Sequence, residues 1–315
     1  MLDYSSLAAV AAVVHEGSFE HAARALKVTP SAVSQRVKQL EERLGCVLII
    51  RGQPCRASAA GRLLCRHIER VGMLEYDLNL ALPKAARTGA DEGRASLRIA
   101  VNADSLGTWF LAAMKTFINE EAALFDVALD DEEHTAEWLR NSEVLAAVTS
   151  VSEAVPGCDC TYLGRLFYTA VASPDFMRRY FSTGVNAASL ELAPCLTFNR
   201  KDKLQQQWMH RRCRHRIDAP VHWLPSTQAF IDATVAGIAW GMNPVSLVQA
   251  QLRAGTLVEL IPGSMLAVPL YWQNARLPVP MLQRLTQTVI AAARSSLKDL
   301  TEDAPAGTHA QTDDA

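Results

Sequence analysis

The chain has 315 residues, of which 49% are hydrophobic and 20% are charged, and its formal net charge is −2. This length is about twice that of a common domain, and the composition excludes a mainly disordered chain. Because the whole chain is nearly neutral, a nucleic-acid partner can be argued only from local segments. The first residues lack a basic stretch and a long apolar run, so we expect a cytoplasmic protein with no membrane partner.

Seven cysteines without CxxC pairs predict reduced thiols rather than a disulfide framework or a zinc site. A redox role for Cys158 with Cys160, or for Cys195 with Cys213, stays open. The sequence contains no GxSxG, P-loop, GxGxxG or HExxH motif, and its histidines are scattered. We therefore expect no catalytic residues, no metal and no cofactor, which disfavours an enzyme.

Three short helices are predicted in the first 45 residues. Apolar residues at helical spacing predict a first helix that ends at Gly17, after which Ser18 caps the second. Thr29 followed by Pro30 predicts the start of a third helix, which runs to Gly45. Its inward face is expected to hold Val33, Val37, Leu40 and Leu44. Two helices joined by a tight turn are typical of a helix-turn-helix.

The exposed start of the third helix is the expected DNA-reading surface, because a major groove admits one helix. Residues 18 to 56 carry seven basic side chains against three acidic ones, which suits phosphates. A β-branched run at 47–50 and the turn after it predict a wing. A helical bundle with a solvated polar face remains the alternative. The predicted DNA-binding residues are Ser18, Thr29, Pro30, Ser31, Ser34, Gln35, Arg36, Lys38, Arg51 and Arg56.

A long helix is predicted after Ser58. Its apolar residues recur at steps of three and four and form an apolar stripe, or seam, along one side of the helix. We expect this seam to pack against the same helix of a second copy of the chain, its twin helix. The resulting homodimer would present two recognition helices to inverted half-sites in double-stranded DNA. The alternative is that the seam lies on the chain's own second domain. The predicted dimerisation residues are Leu64, Ile68, Val71 and Leu78.

Strand and helix patterns alternate from residue 95 onward, which predicts an α/β fold with a parallel sheet and covering helices. Two such sets make two lobes with a cleft. The expected domains are a DNA-binding domain at 1–58, a linker helix at 59–82, a hinge at 83–94, lobe I at 95–165 and 270–298, lobe II at 166–269, and a disordered tail at 299–315.

Polar residues at strand ends and helix starts are the residues that we expect to bind a small molecule, the effector, in this cleft. Ser105 and Thr108 are hypothesised to hold an α-carboxylate, although helix capping explains such hydroxyls equally well. Asp131 and Glu132 follow a strand and would suit a cationic group, with a solvated loop as the alternative. The basic run at 211–216 fits a second DNA site, with a solvated face or a subunit contact as the alternatives. The effector-binding set is Asn102, Ser105, Thr108, Asp131, Glu132, Thr149, Ser150, Ser226 and Thr227.

The segment GSFEHAARALKVTPSAVSQRVKQLEERLGCVLIIR at 17–51 resembles the LysR-type transcriptional regulators in a long, ungapped pattern. The segment VNADSL at 101–106, with Thr108 and Trp109, looks most similar to the ArgP/LysG branch, which controls export of basic amino acids. This resemblance implies a winged helix-turn-helix, a linker helix and a two-lobed effector domain like a periplasmic binding protein.

The resemblance also implies a function. It is that of a DNA-binding regulator, dimeric or tetrameric, whose effector is lysine or arginine and whose target is a transport gene. RNA polymerase is a further candidate partner. Two alternatives stay open: a LysR-type regulator of another pathway with a different effector, and an architectural DNA-binding protein without a ligand.

Overall fold

The computed structural model describes residues 3–82, 95–130, 135–140 and 143–297. The predicted hinge and tail, and the residues Asp131 and Glu132, lie outside these described residues. The chain forms two compact units. The first comprises Met1–Asn102, Ala112–Cys160 and Trp272–Val289, and the second comprises Ala103–Leu111, Thr161–Tyr271 and Ile290–Ala315.

The first unit begins with the predicted helices and wing. These elements are α1 (Tyr4–Glu16), α2 (Phe19–Ala25), α3 (Pro30–Leu44), β1 (Ile49–Ile50) and β2 (Arg56–Ala57). Ser18 and Thr29 are confirmed as N-caps, because their hydroxyl oxygens accept the N–H groups of His21 and Ala32 at 3.1 and 3.2 Å. Gly17 ends α1 with a φ of 69°, a left-handed conformation that glycine adopts readily.

The three helices share one apolar core. Val10 and Val13 of α1 and Val33 of α3 are fully buried, and Val37 of α3 is almost fully buried. Leu44, expected on the inward face, is instead 40% exposed. That prediction is wrong because Leu44 is the last residue of α3, where the chain turns away at Gly45.

Helix α4 (Ala59–Ala81) follows, capped by Ser58 as predicted. Leu64 and Ile68 are partly buried against the core of the N-terminal helices, whereas Leu78 is 59% exposed. The expected seam is therefore not one continuous free stripe, because its first members already pack within the chain. Among the described side chains of α4, the large apolar ones left exposed are Leu63, Leu74 and Leu78.

The remaining elements alternate as predicted as far as β5, after which β5 and β6, α8 and α9, and β10 and β11 follow one another without an intervening element of the other type. In chain order they are β3 (Ala95–Asn102), α5 (Ala103–Ser105), a π-helical turn (Leu106–Phe110), α6 (Leu111–Glu120), β4 (Ala123–Asp130), α7 (Thr135–Arg140), β5 (Ala146–Thr149), β6 (Cys158–Ala172), α8 (Pro174–Tyr180), α9 (Ala187–Leu192), β7 (Cys195–Thr197), α10 (Leu204–Cys213), β8 (Val221–Trp223), α11 (Thr227–Val235), β9 (Gly241–Pro244), α12 (Val245–Ala254), β10 (Val258–Glu259), β11 (Met265–Ala275) and α13 (Pro280–Ser296).

In the first unit, β3 lies between β4 and β5, and both neighbours run parallel to it. The strand order is β11-β5-β3-β4, and of β11 only residues 272–275 belong to this unit. Ile99 of β3 is fully buried and pairs with Val127 of β4 and Ala146 of β5. The parallel sheet predicted from the alternating pattern is confirmed for these strands.

In the second unit, strand β6 runs antiparallel to both β9 and β10, while β7 and β8 form a separate parallel pair. The fully buried rings of Trp208 and Trp240 lie 5.4 Å apart in its core. Among the described residues of both units, no helix has the length and apolarity that a membrane crossing requires.

Candidate DNA interface and effector pocket

The residues predicted to read DNA lie on the outward side of α3. Ser31, Gln35 and Lys38 are exposed, and Ser34 and Arg36 are half-buried. The Lys38 ammonium lies 3.7 Å from the Glu42 carboxylate, but the two side chains are 74% and 63% exposed. Such a pair contributes little to stability, so Lys38 remains available to a phosphate.

The wing is fastened beside α3 by Glu41. Its Oε1 accepts the backbone N–H groups of Leu48 at 2.7 Å and Ile49 at 3.2 Å. The Arg51 guanidinium lies 5.4 Å from the ring centroid of Phe19, which orients it by a cation–π contact. Arg56 is exposed on β2. The first unit thus presents basic side chains from the wing next to the outward face of α3.

The predicted effector residues fall into both units. In the first, Asn102 and Thr149 are buried at the carboxyl ends of neighbouring parallel strands, whose register pairs Ala100 with Ala147. The Thr149 hydroxyl accepts the N–H of Val151 at 3.2 Å. Ser150 is half-buried. These residues share a strand edge, as the fold-level argument predicts.

In the second unit, the predicted hydroxyls are engaged locally. Thr108 donates to the Asp104 carbonyl oxygen at 2.6 Å, and Ser226 caps α11 by accepting the N–H of Ala229 at 3.3 Å. Ser105 is fully buried. Ser226 is thus a helix cap, as the alternative predicts, whereas the Thr108 hydroxyl is bonded to the backbone within its own helical segment. Thr227 donates its hydroxyl to the Asp104 carboxylate at 3.2 Å and therefore faces an acid.

Asp104 is the residue that the sequence prediction missed. Its carboxylate is half-buried and accepts hydroxyl hydrogen bonds from Tyr168 at 2.9 Å and from Thr227. Burial, with a smaller contribution from the charge of Asp202, raises the pKa of Asp104 from 3.8 to about 6, although the two hydroxyl bonds act in the opposite direction. Asp104 belongs to the VNADSL segment. Its position in that segment, directly after a predicted strand, is the sequence signal that could have identified it as a binding residue.

A small cavity of about 30 Å³ lies beside this carboxylate. Asp202 also lines it, and its carboxylate accepts the backbone N–H groups of Phe198 at 3.0 Å and Leu204 at 2.9 Å. Two carboxylates flanked by apolar and aromatic side chains favour an N–H donor that carries a positive charge. The lining residues are Asp104, Phe198, Asp202, Leu204, Thr227, Phe230, Met242, Asn243 and Pro244.

Other candidate groups carry weaker chemistry. No disulfide joins the cysteines, and burial raises the pKa of Cys158, Cys160 and Cys195, the last to about 11. These thiols are therefore held in the less reactive neutral form. Arg211 and Arg212 are exposed at the end of α10. Within the described ranges, no group of three or more histidine, cysteine or acidic side chains is placed to hold a metal ion.

Two family models match the chain. The model described as bacterial regulatory helix-turn-helix protein, lysR family, matches residues 4–62, and the LysR substrate binding domain matches residues 90–294. Together they cover the helices of the candidate DNA interface and both sets of predicted effector residues.

The chain is also similar over nearly its whole length to characterised proteins. The HTH-type transcriptional regulator LysG of Mycobacterium tuberculosis is 43% identical over 292 residues, covering 93% of this chain and 94% of the relative. The crystal structure of ArgP from Mycobacterium tuberculosis has a TM-score of 0.76 at 42% identity, covering 95% and 99% of the two chains. Full-length LysG from Corynebacterium glutamicum with bound effector Arg has a TM-score of 0.67 at 34% identity, covering 95% and 100%.

Proposed function

The chain belongs to the LysR family of transcription regulators, and on that premise we propose that its effector is a basic amino acid, arginine or lysine, through which it controls a transport or export gene. It is a DNA-binding regulator of the ArgP/LysG kind rather than an enzyme. The arginine bound to the related LysG supports a basic effector. The observation in this chain that carries the proposal is the half-buried Asp104 carboxylate beside a small cavity.

Asp104 lacks a cationic partner among the described residues. Hydroxyl groups are its hydrogen-bond donors, and the nearby charge that acts on it is the like charge of Asp202. A buried carboxylate without a cation is costly when it is ionised. A guanidinium or ammonium group from the effector would supply the missing charge, and the adjoining cavity has the dimensions of such a head group rather than of a whole amino acid.

The DNA side of the proposal rests on α3 and α4. In a dimer, two copies of α3 related by a two-fold axis read inverted half-sites through Ser31, Ser34 and Gln35, and Arg36 and Lys38 hold phosphates. The exposed leucines of α4 supply the apolar surface for the twin helix, and tetramers assemble from such dimers. Effector binding shifts the population between different arrangements of the dimers in the tetramer. This shift changes the length of DNA that the protein covers, or the angle by which the DNA is bent. RNA polymerase would contact the regulator on that DNA.

The test begins with recovery of the genomic fragments that the purified protein binds. The footprint on such a fragment is then compared without ligand and with arginine, lysine or citrulline, which replaces the guanidinium by an uncharged urea of nearly the same shape. We expect arginine or lysine to change the footprint and citrulline to leave it unchanged. A footprint that none of these amino acids alters excludes basic amino acids as effectors.

The role of Asp104 is tested with Asp104→Asn and with Asp218→Asn, an exposed acid in the same unit. Asp104→Asn should bind the fragment normally but require about ten-fold or more arginine for the same response, because a charge-assisted hydrogen bond is lost. Asp218→Asn should respond like the wild type. Equal arginine responses in both variants contradict the assignment of Asp104.

A further inference from the structure

A second cavity lies entirely within the first unit and is distinct from the pocket at Asp104. Its volume is about 180 Å³. Helix α4 contributes Arg66 and Arg70, and α7 contributes Arg140 at its last position. The one acid among the described residues that line this cavity is Glu69, and the remaining lining is apolar side chains and the turn before β6. Three guanidinium groups therefore surround a space with a single carboxylate.

The charges around this arginine cavity are poorly compensated. The Arg70 Nε atom is buried and has no hydrogen-bond partner in the described part of the chain. Across that part, no carboxylate lies within ion-pair distance of Arg66, Arg70 or Arg140. Burial and the neighbouring charge of Arg66 lower the pKa of Arg70. A buried guanidinium N–H without an acceptor costs free energy, so an anion in the cavity would be favoured.

Glu69 does not supply that anion effectively. Burial raises its pKa from 4.5 to about 7, even though Arg98, Arg66 and Arg70 act in the opposite direction. The carboxyl is thus about half protonated at pH 7, and with three arginines beside it the cavity keeps a net positive charge. This is the opposite polarity to the pocket at Asp104, which favours a cation.

We propose that the arginine cavity binds a small multivalent oxyanion, a phosphate or a dicarboxylate, held by Arg66, Arg70 and Arg140. The planar guanidinium group matches both phosphate and carboxylate oxygens in bidentate geometry, which a lysine cluster would not do. One water needs about 10–15 Å³ of such cavity volume, so a volume of about 180 Å³ is large enough to take such an anion. The site goes beyond the proposed basic effector, since its ligand carries the opposite charge.

The position of the site gives it a regulatory consequence. Helix α4 packs through Leu64 and Ile68 on the DNA-binding core, and further along it contacts the α/β part of the first unit, where Asp77 pairs with Arg284 at 2.9 Å. An anion between Arg70 of α4 and Arg140 of α7 adds a contact between these same parts. The bound anion therefore stabilises the docking of the linker helix.

The test is thermal unfolding of the full chain while inorganic phosphate or succinate is titrated against chloride at constant ionic strength. Arg70→Gln and Arg140→Gln remove one guanidinium each, and Arg253→Gln removes an exposed arginine on α12 in the second unit. Arg140 is itself exposed, so its replacement keeps the test valid if Arg70→Gln does not fold. We expect a saturable rise in Tm with at least one anion, and an affinity about ten-fold or more weaker in both cavity variants.

The control variant should keep the wild-type response. A saturable rise in Tm with phosphate but not with succinate, or with succinate but not with phosphate, would identify which oxyanion the cavity prefers. A rise in Tm that does not saturate, or that is equal in Arg70→Gln and Arg253→Gln, overturns the proposal because it reflects general salt effects. A change in dimer dissociation with no anion response also overturns it, since the arginines would then pair with a second copy of the chain.

Discussion

Asp104 links protonation to folding. Its pKa is about 6 in the folded chain against an ordinary value of 3.8, so the folded state binds this proton more tightly than the unfolded state does. Its contribution to stability is complete below about pH 4 and is lost as the pH rises through about 6. The asparagine variant cannot ionise. Asp104→Asn should therefore match the wild type at about pH 4 and exceed its unfolding free energy by at most about 3 kcal/mol at pH 8.

Urea unfolding between these pH values measures that difference. Asp218→Asn, at an exposed site, should follow the wild-type curve throughout. If Asp104→Asn is less stable than the wild type at pH 8, the carboxylate contributes favourable interactions that outweigh its burial. Asp104→Asn is used both in this stability test and in the arginine-response test. If the variant is more stable than the wild type, its loss of arginine response does not arise from unfolding.

At the scale of elements, the approach of α4 to the wing requires glycine at residue 61. A Cβ built there would lie 2.1 Å from the carbonyl oxygen of Leu48 and 3.1 Å from its carbonyl carbon. The same carbonyl oxygen accepts the N–H of Ser58 at 2.9 Å, so the backbone is held in place. Gly61→Ala should destabilise the chain by about 1–3 kcal/mol, because the helix must shift.

Gly72 provides the matched control on the same helix. It is exposed, and a Cβ there meets nothing within 4 Å. Gly72→Ala should stabilise α4 by up to about 1 kcal/mol through helix propensity. Circular dichroism of thermal unfolding compares the two variants. Equal stability of Gly61→Ala and Gly72→Ala would show that α4 does not approach the wing as closely as described.

Elements whose signals are local were predicted well. The caps at Ser18, Thr29 and Ser58 depend on one hydroxyl and the next three residues, so the sequence contains all that defines them. The wing was recognised from a short β-branched run, although its strands have only two residues each. The parallel strands β3, β4 and β5 followed from alternation with helices.

Features that depend on distant partners were predicted less well. Helical periodicity shows that Leu64 and Ile68 are buried, but it does not say whether their own core or a twin helix covers them. The antiparallel direction of β6 depends on β9 and β10, which lie some 70 or more residues later in the chain. Asp104 was overlooked because its hydrogen-bonding partners, Tyr168 and Thr227, are equally remote.

For the whole molecule, a net charge of −2 means that attraction to DNA must come from a local surface rather than from overall charge. Each phosphate contact contributes about 0.9 to the slope of log affinity against log salt. Lys38→Ala should therefore lower the magnitude of that slope by about 0.9 when one protomer binds the DNA and by about 1.8 when a dimer binds it. The variant should also weaken binding to all DNA sequences by the same factor.

Gln35→Ala separates base reading from phosphate binding in the same assay. Because an amide side chain contacts base edges without releasing counterions, this variant should keep the wild-type slope and lose about 1–3 kcal/mol of preference at one base position per half-site. Lys115→Ala, an exposed lysine of α6 far along the chain from α3, is the control and should change neither quantity. Fluorescence anisotropy over a salt series, on the recovered fragment and on single-base variants of it, measures both. A slope change in Gln35→Ala, or an unchanged slope in Lys38→Ala, would mean that α3 lies in the groove in a different register.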